Sequence, residues 1–303
     1  MTRENTILGG ILFSGAFCLL GVLSGISKYL QSKWGFPPAE LTFFNFSILA
    51  VCLLPWVTRQ GGLKALKTNS YSLILIRSVL GFTAFLSFFT ASHMLPLVDA
   101  VTLLNTAPLW VPLLAIFILR ERLSGKAALC ILGGFIGMLL IMRPRIQGMN
   151  FTGDLLGLGA GIMMAGTIVA IRKLKDEPWQ RIAFYYAVVG IILSSVMVIP
   201  LFKMPQGIQW VFFLVMGVIM YLIQWLATIA LHYAKATTLG PLTYSAIIVS
   251  GIIAWLVWGE IPTFLTMVGT FAIIASGVLI VKFESREKGS VGRGSPGFIG
   301  HRP

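Results

Sequence analysis

Charge is scarce in this sequence, and acid is scarcer still. Only 11% of its 303 residues are charged, and ten of them are Asp or Glu. A soluble domain carries roughly a quarter. So little charge cannot cover a water-facing surface, which excludes the pair of soluble domains that length alone would suggest. Cysteine is nearly missing too. Cys18, Cys52 and Cys130 all fall in apolar runs, with no His or Cys at metal-binding spacing, so they read as small packing residues rather than a disulfide framework or a metal site. No GxxxxGK[ST] loop is present, so ATP is not the direct energy source unless a partner supplies it. No paired carboxylates, His/Cys cluster or activated nucleophile share one region, which argues against a membrane-embedded enzyme. The first residues, Met1 to Thr6, are too short and weakly basic for a cleavable signal, so the first apolar run reads as a membrane helix.

What the chain has in quantity is apolar length. It is 57% hydrophobic with a mean hydropathy of +0.89. Spans of about 20 apolar residues are what a bilayer requires. Ten candidates are found at 7–27, 39–57, 72–92, 98–118, 127–142, 153–171, 182–201, 209–231, 239–258 and 263–281. The runs are continuous rather than alternating, so helices are expected and not barrel strands. Pro96 and Asp99, read as a helix N-cap, separate the third run from the fourth.

The net charge of +13 does not indicate nucleic acid, because the basic residues sit in short segments between apolar runs and form no water-facing patch. With the N-terminus in the cytoplasm, the inner segments hold Arg59, Lys64, Lys67, Arg120, Arg122, Lys126, Arg172, Lys173, Lys175, Arg181 and Lys235. The opposite side holds Lys28, Lys33, Arg143, Arg145 and Lys203. This bias places both termini inside and agrees with an even number of spans. The tail after Val281, rich in Gly and charge, is expected to be disordered and cytoplasmic.

The chain also repeats itself. AVTLLNTAPLWVPLLAIFILRERLSGK, from Ala100, aligns without gaps on TTLGPLTYSAIIVSGIIAWLVWGEIPTF, from Thr237, at a shift of 139 residues. The shift places Glu121 on Glu260, Ala107 on Ala246, Thr106 on Ser245 and His93 on His232. Near the start of each half, Pro38 falls on Pro178 and Phe44 on Phe184 at a shift of 140. Five spans per half invert the second half, and the loops test this: RERLSGK carries three basic residues and GEIPTF none, as expected if only the first is cytoplasmic. The expected fold is therefore an all-α integral membrane protein with ten transmembrane helices in two inverted five-helix repeats. These are residues 7–142 and 153–281, between a cytoplasmic N-terminus (1–6) and a tail (282–303).

PLVDAVTLLNTAPLWVPLLAIFILRE and ATTLGPLTYSAIIVSGIIAWLVWGE resemble the EamA type of the drug/metabolite transporter superfamily, whose fourth helix is rich in small residues, contains Pro and ends in Glu. The resemblance covers residues 7 to 281 and implies a transporter. The family frequently has a basic residue in the second helix, near the position of Asn45 here, so this chain departs from it at that point. SKYL, IRSVLG and the general layout also resemble S-adenosylmethionine carriers of that superfamily.

Polar side chains inside a membrane face a cavity or a partner helix. Tyr221 and Gln224 recur at helical spacing on the eighth span, with Trp225 beside them. On the fourth, Thr102, Asn105 and Thr106 precede Pro108 and Pro112, which remove backbone hydrogen bonds and can open the helix. Tyr244 and Ser245 occupy the matching positions of the ninth. Asn105, Tyr244, Gln224, Tyr221 and Trp225 form the candidate solute site, with Asn45 and Arg77 at its margins and Thr102, Thr106 and Ser245 alongside. Ser and Thr equally serve as ties between helices. Arg77 either snorkels to the interface or supplies a fixed positive charge for a carboxylate or phosphate. Glu121 and Glu260 read as helix-end contacts. Gly21 with Gly25, Gly133 with Gly137, and Gly157 with Gly161 have the spacing of close helix packing, inside the molecule or at a dimer contact.

The expected function is secondary transport of a small polar metabolite (amino-acid-like, nucleoside-like or S-adenosylmethionine-like) by alternating access. The bilayer is its surrounding partner, proton or counter-substrate coupling is open, and no cofactor, metal or nucleic acid is involved. The site is a bacterial inner membrane, the protein a monomer or homodimer. A lipid scramblase or flippase of the same fold is the alternative, with a membrane-embedded enzyme behind it.

Overall fold

A computed structural model of the chain describes residues 6–119, 125–142, 150–174, 176–233 and 240–291. Arg120, Glu121, Arg122, Arg143, Arg145, Lys175 and Lys235 lie outside the described residues, as does the chain beyond 291. The elements are α1 (Thr6–Trp34), α2 (Pro38–Arg59), α3 (Tyr71–Met94), α4 (Leu97–Leu104), α5 (Ala107–Leu119), α6 (Gly125–Met142), α7 (Asn150–Lys173), α8 (Trp179–Val198), α9 (Gln209–Tyr233), α10 (Ser245–Trp258) and α11 (Phe264–Val291). A 3₁₀ turn, Gly240–Tyr244, leads into α10. No strand occurs among the described residues. Among the described residues six helices are long and apolar enough to cross a membrane: α1, α2, α3, α7, α8 and α9. Four shorter apolar stretches lie at Leu97–Val111, Ala128–Ile141, Leu242–Trp258 and Phe264–Leu279.

Three boundaries differ from the sequence expectation. The fourth run is not one helix: it breaks at Asn105 and Thr106, where Thr106 N donates to Leu103 O at 3.1 Å and Leu109 N to Thr106 O at 2.8 Å. Pro108 has no N–H to give the carbonyl four residues back, so the ladder tightens to i→i+3 bonds there. The first helix runs to Trp34 rather than 27, because its stop signal is Gly35, with φ +65°. Gly35 N reaches Gln31 O at 3.0 Å and Phe36 N reaches Leu30 O at 3.4 Å, a left-handed glycine ending followed by prolines. The last helix continues ten residues past 281, to Val291, through a segment of good helix formers, FESREK.

Apolar faces decide the packing. Phe36, Phe44 and Phe213 interlock, with Phe44 and Phe213 centroids 4.5 Å apart, and Phe46 meets Tyr186 edge-on at 4.6 Å. On the outside, Leu129, Leu132, Ile136 and Leu139 form an exposed stripe along α6, and Phe264, Met267 and Phe271 continue apolar surface on α11. Such stripes suit lipid rather than water. The glycine pairs pack internally. A Cβ at Gly21 would meet Val249, one at Gly25 would meet Ile253, and one at Gly137 would meet the Gly269 carbonyl at 2.7 Å.

The principal contacts join one half to the other. α1 packs on α9 and α3 on α7; α2 packs on α8 and α6 on α11; α2 meets α9 and α3 meets α8; α1 meets α10, while α4 and α5 meet α7. Exchanging α1, α2, α3, α4–α5 and α6 for α7, α8, α9, α10 and α11 turns this set of contacts into itself. The largest core among the described residues draws on both halves, which bury much of their apolar faces against each other.

Candidate functional site

The two halves meet around helix interruptions that correspond. Asn105 and Thr106 break α4 from α5, and Tyr244 and Ser245 mark the passage from the 3₁₀ turn to α10. These pairs are the ones related by the 139-residue shift, and α4 and α10 touch each other.

Around the breaks, side chains are tied to backbone. Asn105 is buried, and its Nδ2 donates to Val101 O at 2.8 Å. Thr106 Oγ1 donates to Leu103 O at 2.7 Å and accepts from Trp110 Nε1 at 3.2 Å. Thr102 Oγ1 donates to Val98 O at 2.7 Å and lies 3.5 Å from Thr270 Oγ1 on α11. The Tyr244 hydroxyl donates to Ile273 O on α11 at 3.3 Å. Ser245 Oγ lies within donating distance of Ser14 O on α1 (3.3 Å) and Leu242 O (2.8 Å). Asn105 and Tyr244 therefore share a position in the repeat, and each spends its hydrogen bond on a different backbone carbonyl.

The α9 trio is more open. Tyr221 and Gln224 are half-buried and Trp225 is 41% exposed, with the Tyr221 ring 6.3 Å from Trp179. Trp225 stands at the edge of the packed interior rather than within it.

Two candidates sit deep and unsatisfied. Asn45 is 1% exposed, and neither its Nδ2 nor its Oδ1 has a hydrogen-bond partner. Arg77 is 4% exposed with Nε and Nη1 buried and unpaired. Its guanidinium carbon lies 4.0 Å from the Tyr186 ring centroid, and no carboxylate lies within ion-pair distance of it among the described residues. Arg77 does not snorkel here. Burying a charge without a counter-charge costs several kcal/mol, and stacking on an aromatic ring returns about 0.5–2 kcal/mol. Stability alone gives no reason to keep it.

Two participants, Lys28 and Tyr186, were not singled out from sequence. Lys28 was counted as loop because the first helix was ended at 27; the Gly35-Phe36-Pro37-Pro38 stop was the available signal. In the structure Lys28 is buried in α1, and its Nζ donates to Leu95 O at 3.1 Å and pairs with Glu260 Oε1 at 2.5 Å. Glu260 Oε2 accepts from Leu97 N at 2.9 Å. The carboxylate thus joins α1, the start of α4 and the end of α10. Its placement follows from Gly259, at φ +64°, where Gly259 N bonds Trp255 O and Glu260 N bonds Ala254 O in a second left-handed glycine ending. The helix-end reading of Glu260 stands, and Glu121 lies outside the described residues. Asp99 is not an N-cap: Pro96 occupies that position, and Asp99 Oδ1 accepts from Thr266 Oγ1 at 3.1 Å. His93 is exposed. The second participant is Tyr186, which the fold brings to Arg77.

Comparison with known proteins follows this geometry. A profile of the EamA-like transporter family matches the chain twice, over residues 7–143 and 151–282. The chain is 30% identical to a pseudopaline exporter of Pseudomonas aeruginosa, covering 92% of this chain and 94% of that protein. It is 27% identical to an S-adenosylmethionine uptake transporter of Rickettsia prowazekii, over 94% and 97%, and 23% identical to a riboflavin transporter of Vibrio cholerae, over 94% and 96%. One crystallographically determined chain at 19% identity matches with a TM-score of 0.67 over 94% of this chain and all of that one, a likeness of fold.

Proposed function

The chain belongs to the EamA-like transporter family, and from that premise we propose that it moves a small polar organic solute across a bacterial inner membrane by alternating access. In this reading the ten apolar segments all span the bilayer as two inverted five-helix repeats, with both termini in the cytoplasm. The observation that carries it is the pair of helix interruptions at Asn105–Thr106 and Tyr244–Ser245, on touching helices from opposite halves. Interrupted helices at a repeat interface are where secondary transporters hold solutes, because freed backbone groups and polar side chains there need a partner. Asn45, Arg77, Asn105, Tyr221, Gln224 and Trp225 are the proposed solute-facing residues, and Thr102, Thr106, Tyr244 and Ser245 hold the interrupted segments in place. The Lys28–Glu260 contact closes the pathway on the external side. The relatives, transporters of S-adenosylmethionine and of riboflavin and an exporter of pseudopaline, support a small-molecule cargo.

The test is reconstitution of the full chain into liposomes, with a defined mixture of amino acids, nucleosides and their derivatives outside and mass spectrometry of the contents. One or a few solutes should enter saturably. Gln224→Leu should cut their entry several-fold at unchanged melting temperature. Movement of a fluorescent phospholipid between leaflets, with no solute entry, would replace this reading with the lipid-scrambling one.

A further inference from the structure

We propose that Arg77, held flat on Tyr186, anchors an oxyanion (a carboxylate or a phosphate) carried by the transported solute. This rests on the transport reading above and adds a substrate class to it.

Arg77 lies six residues into α3, about 9 Å along the helix axis from Tyr71. A guanidinium keeps its charge in any protein environment, so burial cannot neutralise it as it would a lysine. Its interior nitrogens nonetheless lack partners. No acid among the described residues forms an ion pair with Arg77: Asp99 accepts from Thr266, Glu40 from Lys203 N, Glu177 pairs with Arg181 and Glu260 with Lys28. What the fold supplies is orientation. Tyr186 lies under the guanidinium, its own position set by the Phe46 ring at 4.6 Å and by its hydroxyl donating to Gly81 O at 3.4 Å. Gly81 is required at that contact, since a Cβ there would stand 2.8 Å from the Tyr186 ring. A stacked guanidinium still has its in-plane N–H groups free, and those match the oxygens of a carboxylate or phosphate.

The location adds a second reason. Arg77 belongs to the first half of the chain and Tyr186 to the second, on helices that pack together. An anion bound to Arg77 would therefore compensate the charge at a contact between the halves. Such an anion would alter the relative stability of their arrangements, which is what a transported solute must do.

The experiment uses the full chain in liposomes and matched solute pairs offered together: methionine with methioninamide, and adenosine with adenosine 5′-monophosphate. The acid of at least one pair should enter, and its uncharged-oxygen twin should not. Entry of methionine identifies a carboxylate and entry of the nucleotide a phosphate. Arg77→Gln should raise the KM for that acid by roughly tenfold to a hundredfold, the loss expected of charge-assisted hydrogen bonds. Arg77→Lys should retain part of it, and Arg77→Gln should melt no lower than the parent. If the twins lacking the oxyanion enter equally well through the parent and Arg77→Gln, the anchor is wrong and the transport reading survives. If Arg77→Gln melts lower while transport per folded molecule is unchanged, Arg77 is a packing residue and the proposal fails. A parent protein that moves no member of either pair counts against the anchor and the transport reading together.

Discussion

The Tyr244 hydroxyl donates to Ile273 O in the space left by Gly277, where a Cβ would lie 1.7 Å from that oxygen. This makes the ring a tie between the turn before α10 and α11. Tyr244→Phe should thus lower stability by about 1 kcal/mol, the net worth of one hydrogen bond. Uptake per folded molecule should change little. Thermal unfolding and uptake on the same purified variant decide it: a large loss of uptake at unchanged melting temperature would return Tyr244 to the solute path. At this scale sequence identified chemical type well and direction poorly. It picked out Arg77 and Asn45 as polar groups in apolar runs, but which neighbour a side chain meets depends on helix rotation, and nothing local encodes that.

Among the elements, the interrupted fourth span and the ends of α1 and α10 share a logic. Prolines and left-handed glycines fix where a helix stops, and the stop fixes which side chain projects. Gly259 ends α10 so that Glu260 reaches both Lys28 and the first amide of α4. Glu260→Gln keeps a hydrogen-bonding group but removes the charge facing a buried lysine. It should weaken closure at that end, read as several-fold faster modification, by an impermeant thiol reagent, of a cysteine placed at Asp99, in a background lacking the native cysteines. Equal rates in parent and variant would show that the ion pair does not hold the end shut. A related test concerns α6 and α11, where a Cβ at Gly269 would stand 2.5 Å from the Gly137 carbonyl. Backbone cannot yield as a side-chain tip can, so Gly269→Ala should cost about 1–3 kcal/mol through overpacking, measured by thermal unfolding. The Gly stripes at four-residue spacing were visible in sequence; that both sides of this contact are glycine was not.

For the whole molecule, the basic-residue bias gives a direct topological expectation. In that cysteine-free background, cysteines placed at the exposed Thr263 and Lys64 should differ: in intact cells the first should react with an external impermeant thiol reagent, the second only after permeabilisation. The opposite pattern would invert the proposed orientation, and equal labelling would remove the inverted repeat. Sequence by itself determined that this chain is helical, apolar and internally repeated, because hydropathy, Pro and Gly act through local backbone physics that composition and spacing carry directly. Only the tertiary structure decided that the halves bury their faces against each other, that Lys28 finds Glu260 across 232 residues, and that Arg77 lies on Tyr186. Those contacts depend on how helices rotate and approach, and in a chain that is apolar nearly all round, hydrophobicity does not mark which face turns inward.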